Sequence, residues 1–513
     1  MSRIHDPRRP SDCLLAVIVL GALALNGCGM LPYYTRANSE YDGVPPSTRG
    51  TTTLTPDELP SGAVFVGIAL SGGGSRAANF SAAALLELEA LGLLDRATAL
   101  SSVSGSSLTT AYYGLYGSGR DPRRWTPERL KTLLGKNLES RWIARWFLPH
   151  NIARYWLTQF DRTDIMKDVL DSVLFEGKTF TALGLGLPKI LINATRLSVG
   201  QRLVFTDDTF HALRSRLDTY PISHAVMASG AFPGAFQNVT LEDFSRQRPG
   251  APRRRSRFEH LFDGGPSDNL GVMTLLEMVR PLYRDRHRRP RACFLVIVDA
   301  YIDNPEKDVR RRDARSGIDF IVDTNVVDAS DALLSLRRRD ILEQAGFRDT
   351  DIGQQPVQEF PVLGPDSEEP GLRCQTWHLT FQRLLAWRRP EARNPYEQFE
   401  RKPIQRKALA DEVKYATAVG AVVNQISTRY KLTGPAGCSS QALQEDLYEA
   451  ARLLVREDRE SLNAVCDWFD NQGVGLSGCA AARRAPVENR APSCSRETGA
   501  TLHLLEPLAG EAD

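Results

Sequence analysis

The segment 63–115 constrains the fold most, because two short apolar runs in it each end in small residues and lead into a helical pattern. The run 63–70 is continuous and rich in β-branched residues, as expected of a strand buried on both faces. Helical spacing follows over 77–94, then a second apolar run over 98–103 and a second helical pattern over 108–115. This order predicts a βαβα unit in a parallel sheet, and hence an α/β fold.

Composition limits the class of protein to which the chain can belong. The 513 residues include 64 Lys and Arg against 62 Asp and Glu, a formal charge of +2. A balance so close to neutrality argues against a protein that coats nucleic acid, and we expect no nucleic-acid partner. With 42% hydrophobic residues the chain has enough apolar material for a large core. Wholesale disorder and a polytopic membrane protein are excluded.

The amino terminus has the pattern of an export signal. A short arginine-containing head precedes the apolar run 14–25, which is too short to span a bilayer as a stable helix. An uncleaved membrane anchor is the alternative. The following Leu-Asn-Gly-Cys resembles a bacterial lipobox, so we expect residues 1–27 to be a signal peptide and Cys28 to carry the lipid. The mature protein would then be a cell-envelope lipoprotein, in the outer membrane of a Gram-negative bacterium and facing the periplasm or the surface.

Export would place the remaining cysteines in a compartment that permits disulfides. Four of them follow residue 437, where we expect one or two bridges of undetermined pairing. Cys293 opens a buried-looking apolar run and is predicted to be a core thiol. The six cysteines are Cys293, Cys374, Cys438, Cys466, Cys479 and Cys494.

Three regions follow the signal peptide. Residues 28–60, rich in Pro, Thr, Ser and Gly, are predicted to be a tether. Residues 61–300 form the α/β domain, with an insertion at 121–160. Residues 301–513 are predicted to be a helical extension with a cysteine-containing tail, and the periodicity indicates long helices over 407–430 and 441–469.

The insertion holds four of the seven tryptophans, interleaved with arginines. Its aromatic and basic pattern fits either a membrane-contacting or lid element, or a packed helical insertion. The basic segment 245–259 lacks apolar periodicity and is predicted to be a solvated loop. The aromatic stripe comprises Trp142, Trp146, Ile152, Trp156 and Phe160.

A glycine-rich loop lies between the first strand and the first helix, and reads Ser71-Gly72-Gly73-Gly74-Ser75-Arg76. Consecutive glycines allow backbone N–H groups to converge at a helix N-terminus, where they hold a phosphate or a developing oxyanion. The spacing matches neither a Walker loop nor a dinucleotide fingerprint.

Two further motifs supply a nucleophile and a base. Ser104 is central in Ser102-Val103-Ser104-Gly105-Ser106, where the second strand turns into a helix, although a Ser-rich helix cap is the alternative reading. Asp263 opens the segment DGGPSDNLG, in which two glycines leave its carboxylate accessible to a neighbouring group.

Together, SGGGSRA, SVSGSS and DGGPSDNLG resemble the patatin-like phospholipase family over about residues 63–300. Two other stretches agree with the resemblance: Asn193-Ala194-Thr195, and HAVMASGAFPGAF at 224–236. The departures are Ala77, where many patatins have glycine, and Gly105-Ser106, which is more similar to the cytosolic phospholipase branch.

The resemblance implies a three-layer α/β/α domain with a mainly parallel sheet and a Ser-Asp dyad. Ser104 would be the nucleophile and Asp263 the base. The amides of Gly72, Gly73 and Gly74 would form the oxyanion hole, and Arg76 would support it. No cofactor and no metal are implied. The substrate would be a membrane phospholipid or lysophospholipid, cleaved by phospholipase A or lysophospholipase activity.

Two other functions stay open at this stage. A Ser-His-Asp esterase would need a histidine after the acid, and His287, His378 and His503 are available. A lipoprotein that binds lipid or a partner on the same scaffold without turnover is the second.

Overall fold

The structure is a computed structural model. The predicted signal peptide, Cys28, His503 and residues 246–256 of the basic loop lie outside the residues it describes. The described ranges are 38–41, 54–117, 119–184, 186–245, 257–285, 287–302, 324–348, 352–362, 373–386, 415–485 and 492–498.

One sheet contains the nine described strands. They are β1 Val64–Leu70, β2 Ala99–Val103, β3 Lys189–Arg196, β4 Arg202–Val204, β5 Val239–Asp243, β6 Arg257–Phe262, β7 Ala292–Asp299, β8 Val357–Pro361 and β9 Arg373–Thr380. Their order is β5-β6-β3-β2-β1-β7-β9-β8, with β4 paired to β3. The five central strands β3, β2, β1, β7 and β9 are parallel, and the outer pairings are antiparallel. The predicted mainly parallel sheet is confirmed.

Helices cover both faces of this sheet. They are α1 Gly74–Ala90, α2 Ser106–Tyr116, α3 Pro127–Leu134, α4 Leu138–Trp146, α5 Pro149–Leu157, α6 Arg162–Leu170, α7 Asp207–Ala212, α8 Ile222–Ser229, α9 Gly265–Asp268, α10 Val272–Arg284, α11 Thr324–Gln344, α12 Phe381–Leu385, α13 415–423, α14 Ser440–Arg452, α15 Arg459–Asn471, α16 Cys479–Arg484 and α17 Ser493–Thr498. None in the described ranges is long and apolar enough to cross a bilayer.

Alternate residues of β1 belong to two separate cores, which explains why the run 63–70 is apolar throughout. Ile68 packs in the core that contains Phe80 of α1. Phe65 and Ala69 point the opposite way, into the core that contains Leu275 of α10. A strand covered by helices on both sides requires apolar residues at every position. The three-layer α/β/α arrangement follows directly.

The predicted boundary at residue 300 does not separate a purely helical tail. Two segments after it, β8 and β9, extend the sheet, and β9 pairs in parallel with β7. Cys293 lies opposite Cys374 in that pairing, and the two form a disulfide. The prediction of a free core thiol at Cys293 is therefore wrong, because the pairing of β7 with β9 places Cys374, 81 residues later in the chain, next to it.

The predicted helix 441–469 is two helices. Asp458 interrupts it between α14 and α15, where its side chain caps α15 by accepting from the Ser461 amide. Disulfides join Cys438 to Cys494 and Cys466 to Cys479, in agreement with the expected one or two bridges. Of the predicted helix 407–430, the described part is helical over 415–423 and then turns into a loop.

Parts of the predicted tether pack on the domain. Asn38 donates to Ser215 Oγ and accepts from the Glu242 amide, so this segment is fixed by buried hydrogen bonds. Leu54 and Leu59 are buried in the core beneath α10. Composition alone did not reveal these anchoring residues, because isolated apolar and amide side chains leave no periodic pattern.

Candidate active site

Ser104 lies on a strained turn at the carboxyl end of β2. Its φ is +51°, in the left-handed region that side chains with a Cβ rarely adopt. The Ser104 amide donates to Ser229 Oγ at 2.8 Å, which holds the turn in place. The next residue must be glycine, because a Cβ on Gly105 would lie 2.1 Å from the carbonyl oxygen of Gly74. The turn therefore holds the backbone of Gly105 in close contact with the glycine-rich loop.

Asp263 lies directly after β6 and contacts the Ser104 hydroxyl. Ser104 Oγ donates to Asp263 Oδ2 at 2.7 Å, and the Gly265 amide donates to Oδ1 at 2.8 Å. The carboxyl is buried, and this burial raises its pKa from 3.8 to about 6 against the effect of both hydrogen bonds. A carboxylate with such a pKa can accept a proton near neutral pH and return it in a later step.

A buried network around Ser229 positions this pair. Ser229 Oγ donates to the Asn193 carbonyl at 2.6 Å, in addition to accepting from Ser104. The Asn193 amide group in turn donates to Ser101 Oγ and to the Ser102 carbonyl, both at 2.9 Å. The sequence did not predict that Asn193 and Ser229 position the pair, although both residues lie in stretches that resemble the family.

The glycine-rich loop contacts Ser104 but uses one of its amides for structure. A Cβ on Gly72 would lie 3.3 Å from the Cβ of Ser104, so the two backbones are in close approach. The Gly72 amide donates to the Asn269 carbonyl at 3.0 Å. Gly72 must therefore be removed from the predicted set of oxyanion donors.

Gly73 and Gly74 remain as candidate donors. Both have positive φ, at 139° and 57°, which turns successive amides of the loop at the start of α1. In the part of the chain that the structure describes, no hydrogen-bond acceptor is found for either amide. Gly73 and Gly74 therefore stay in the predicted set of oxyanion donors.

Arg76 lies in the first turn of α1 beside these glycines. Its side chain is buried, and its Nη1 donates to the Ile426 carbonyl at 2.6 Å. Its Nη2 would be 3.2 Å from a Cβ on Gly73. The structure thus brings the guanidinium to the loop that it was predicted to support.

Residues 426–430, here called the C-terminal strap, cover this loop from the far end of the chain. The Ser75 amide donates to the Arg429 carbonyl at 2.8 Å, and a Cβ on Gly74 would collide with the Thr428 carbonyl. The Tyr430 hydroxyl donates to the Gly230 carbonyl at 3.1 Å. The pKa of Tyr430 is raised by burial and further by the nearby Asp263 carboxylate. Sequence reasoning missed the strap, since no local pattern signals a contact across 350 residues.

We expect Gly105→Ala to lower kcat/KM for ester hydrolysis about 10²-fold, because the new Cβ would push Gly74 and its amide away from Ser104. Gly186→Ala is the matched control, since a Cβ there has open space and Gly186 has no positive φ. Rates on a water-soluble ester test this expectation. Equal rates for both variants would contradict it.

Of the candidate histidines for the alternative esterase mechanism, the structure describes His378 and His287, and neither contacts the Ser104–Asp263 pair in the described residues. His378 is buried at the end of β9, and its Nε2 lies 2.9 Å from Asp299 Oδ2, which also accepts from Arg338 Nε at 2.8 Å. His287 lies in an exposed turn after α10. The second acid of the motif, Asp268, accepts from the amides of Gly271 and Met273 and caps α10.

The fold and this site define an α/β protein with a serine on a strand-to-helix turn, paired with a buried carboxylate at the carboxyl edge of a mainly parallel sheet. Residues 68–276 match the family model of the patatin-like phospholipases. The chain therefore contains a patatin-like phospholipase domain over these residues.

Solved structures similar to the chain include two of human GIVD cytosolic phospholipase A2. The first has 14% identity and a TM-score of 0.41, covering 84% of this chain and 64% of that one. The second, a complex with methyl γ-linolenyl fluorophosphonate and terbium chloride, has 15% identity and a TM-score of 0.40, covering 84% and 61%. VipD from Legionella pneumophila has 13% identity and a TM-score of 0.22, covering 82% and 79%. The chain thus spans less than two thirds of the human enzyme's length. No curated protein matches the chain in sequence.

Proposed function

We propose that the protein is a serine acyl hydrolase that cleaves fatty-acyl esters of membrane lipids through Ser104 and Asp263. The observation that carries the proposal is the 2.7 Å hydrogen bond from the Ser104 hydroxyl to a buried carboxylate whose pKa is raised to about 6. The membership of the domain in the patatin-like phospholipases supports lipid esters as the substrate class.

Acyl transfer at this site would proceed in two halves. Ser104 Oγ attacks the ester carbonyl while Asp263 takes its proton, and the developing oxyanion is bound by the amides of Gly73 and Gly74. Collapse of the tetrahedral intermediate breaks the ester C–O bond, and Asp263 protonates the departing alcohol. Water then attacks the acyl-enzyme with Asp263 as base, the fatty acid is released, and the proton returns to Ser104.

The nucleophile can be tested by labelling with a serine-directed fluorophosphonate. We expect the folded protein to carry one adduct on the peptide that contains Ser104, and Ser104→Ala to carry none. A folded wild-type protein that remains unlabelled would favour a lipid-binding protein without turnover.

The lipid class can be tested on vesicles of mixed phospholipids. Mass spectra of the products identify which ester bond is cut and which headgroup is accepted. Released fatty acid with a matching lysophospholipid or glycerophosphodiester is expected, and a vesicle left intact by a protein that hydrolyses soluble esters would exclude membrane lipids as substrates.

Ester hydrolysis should depend on pH through Asp263. The base must be ionised to accept a proton, so kcat/KM should be constant above about pH 6 and fall about tenfold per pH unit below that value. The pH profile of kcat/KM on a water-soluble ester measures this dependence. A fall in kcat/KM centred near pH 4 would show that burial does not raise the pKa of the Asp263 base.

Attachment to the envelope membrane through Cys28 is part of the same proposal and rests on the amino-terminal pattern alone. Intact mass of the mature amino-terminal peptide should show a diacylated cysteine. Cys28→Ser, exported behind a signal peptide that is cleaved without lipidation, should move the protein from the membrane fraction to the soluble fraction, whereas an unchanged distribution would remove the anchor from the proposal.

A further inference from the structure

Exposed apolar side chains are concentrated on one short helical hairpin. Six of the eleven exposed large hydrophobic residues in the described part of the chain lie within 143–157. Phe147 is 71% exposed and Leu157 is 56% exposed. Apolar groups clustered in this way mark an interaction surface. We call this surface the α4–α5 face; its members are Ile143, Phe147, Leu148, Ile152, Trp156 and Leu157.

The hairpin that bears this face is firmly packed on its inner side. Trp142 contacts Phe236 at a ring-centroid distance of 5.4 Å, and its Nε1 donates to the Arg162 carbonyl at 2.9 Å. Trp146 packs between Trp142 and Tyr155, with ring centroids 5.7 and 5.4 Å away and the rings tilted. The insertion is thus packed against the domain through one side, while its other side presents apolar groups to solvent.

Charges around the face are predominantly positive. Residues 138–160 contain three arginines and one acidic residue, Glu139, whose carboxylate is paired with Arg429. Arg141 is exposed beside Ile143. Arg154 lies over the Phe160 ring at 3.9 Å and faces Asp168 of α6, and Arg145 donates to Ser172. Apolar side chains edged by arginines match a bilayer with anionic headgroups.

A chain of aromatic contacts leads from this face to the site. It continues inward from Trp142 through Phe236, whose ring lies 5.7 Å from that of Tyr430. The Tyr430 hydroxyl donates to the carbonyl of Gly230, the residue after Ser229, which holds the Ser104 amide. The hairpin that bears the face is therefore linked to the surroundings of Ser104 through the packed residues Trp142, Phe236 and Tyr430.

We infer that the α4–α5 face docks the domain on an anionic phospholipid bilayer, with its apolar side chains inserted among the headgroups. The inference extends the proposed function. Docking delivers substrate to Ser104 only if the domain is the lipid acyl hydrolase proposed above. Docking itself requires no turnover, so binding and hydrolysis can be measured separately.

The test uses the mature chain from residue 28 with Cys28→Ser, so that neither a lipid anchor nor the apolar run 14–25 contributes to binding. Sedimentation is measured with equimolar phosphatidylglycerol–phosphatidylcholine vesicles and with phosphatidylcholine vesicles. We expect Phe147→Ser/Leu157→Ser to weaken binding to the anionic vesicles at least about tenfold. The matched control is Leu197→Ser/Val199→Ser, which removes apolar groups that are 52% and 58% exposed in the loop after β3, and should change binding less than about twofold.

Several results would overturn the inference: no wild-type sedimentation with anionic vesicles, equal binding to both vesicle types, or equal losses in the two double variants. A wild-type dimer that Phe147→Ser/Leu157→Ser dissociates, with vesicle binding unchanged, would assign the face to a second copy of the chain. Thermal unfolding of each variant verifies the fold. If the wild type binds vesicles through this face but hydrolyses no soluble ester, the proposed function fails and the docking surface stands.

Discussion

Ser104→Ala should lower kcat/KM for hydrolysis of a soluble ester at least about 10³-fold, because no other hydroxyl contacts Asp263 in the described structure. The residual rate would reflect water attacking a carbonyl held by the Gly73 and Gly74 amides. Initial rates and fluorophosphonate labelling measure the loss. A variant within about tenfold of wild type would remove Ser104 from the mechanism.

Ser102→Ala is the matched control, two residues earlier on β2. Its hydroxyl is also buried and hydrogen-bonds to Ser107, but it does not contact Asp263. We expect nearly full activity with a stability loss of about 1 kcal/mol.

The backbone strain at position 104 can be measured by comparing the stabilities of two substitutions of Ser104. Ser104→Gly should be as inactive as Ser104→Ala yet more stable than it by about 1 kcal/mol, because glycine adopts a φ of +51° without steric cost. Urea unfolding measures the difference. Equal stability of the two variants would show that the turn is not strained.

The parallel centre of the sheet was predictable from local patterns. The apolar runs 63–70 and 293–298 have the length of strands, and residues 65–70 and 293–298 are all buried in the structure. Such runs can be recognised in a sequence because a strand buried between two helical layers needs an apolar residue at every position.

The two carboxyl-terminal strands were not predictable in the same way. β9 mixes polar and apolar residues and is followed at once by the short helix α12. What makes it a strand is its pairing with β7, including the opposition of Cys293 and Cys374. Contacts between segments that are far apart in the chain leave no periodic signal in either segment.

In the candidate site, too, some features were predictable from local motifs and others depend on contacts between distant segments. Ser104 and Asp263 were predicted from motifs, and the structure brings them into hydrogen-bond contact. The engagement of the Gly72 amide by Asn269 and the capping of the glycine-rich loop by Arg429 were not predicted. Both depend on backbone carbonyls, which any residue type supplies, so residue identity carries no information about them.

Asp263→Asn should abolish ester hydrolysis to the same extent as Ser104→Ala while leaving the fold intact. The asparagine is isosteric and can still accept from the Gly265 amide, but it cannot take the proton from Ser104. Kinetics on a soluble ester measure the loss. His378→Asn is the control for the alternative mechanism, because His378 contacts Asp299, and it should retain activity within about fivefold. An inactive His378→Asn together with an active Asp263→Asn would overturn the dyad.

The same variant should be more stable than the wild type at pH 8. The pKa of Asp263 is higher in the folded state, at about 6, than the 3.8 of an exposed carboxyl, so the folded protein loses stability as the pH rises from about 4 to about 6. Above that range the penalty is fully present and is of the order of 3 kcal/mol. Asparagine carries no such penalty, so the gain in unfolding free energy should disappear near pH 4. Urea titrations at the two pH values measure it, and a gain that is independent of pH would mean that the buried carboxylate is not its source.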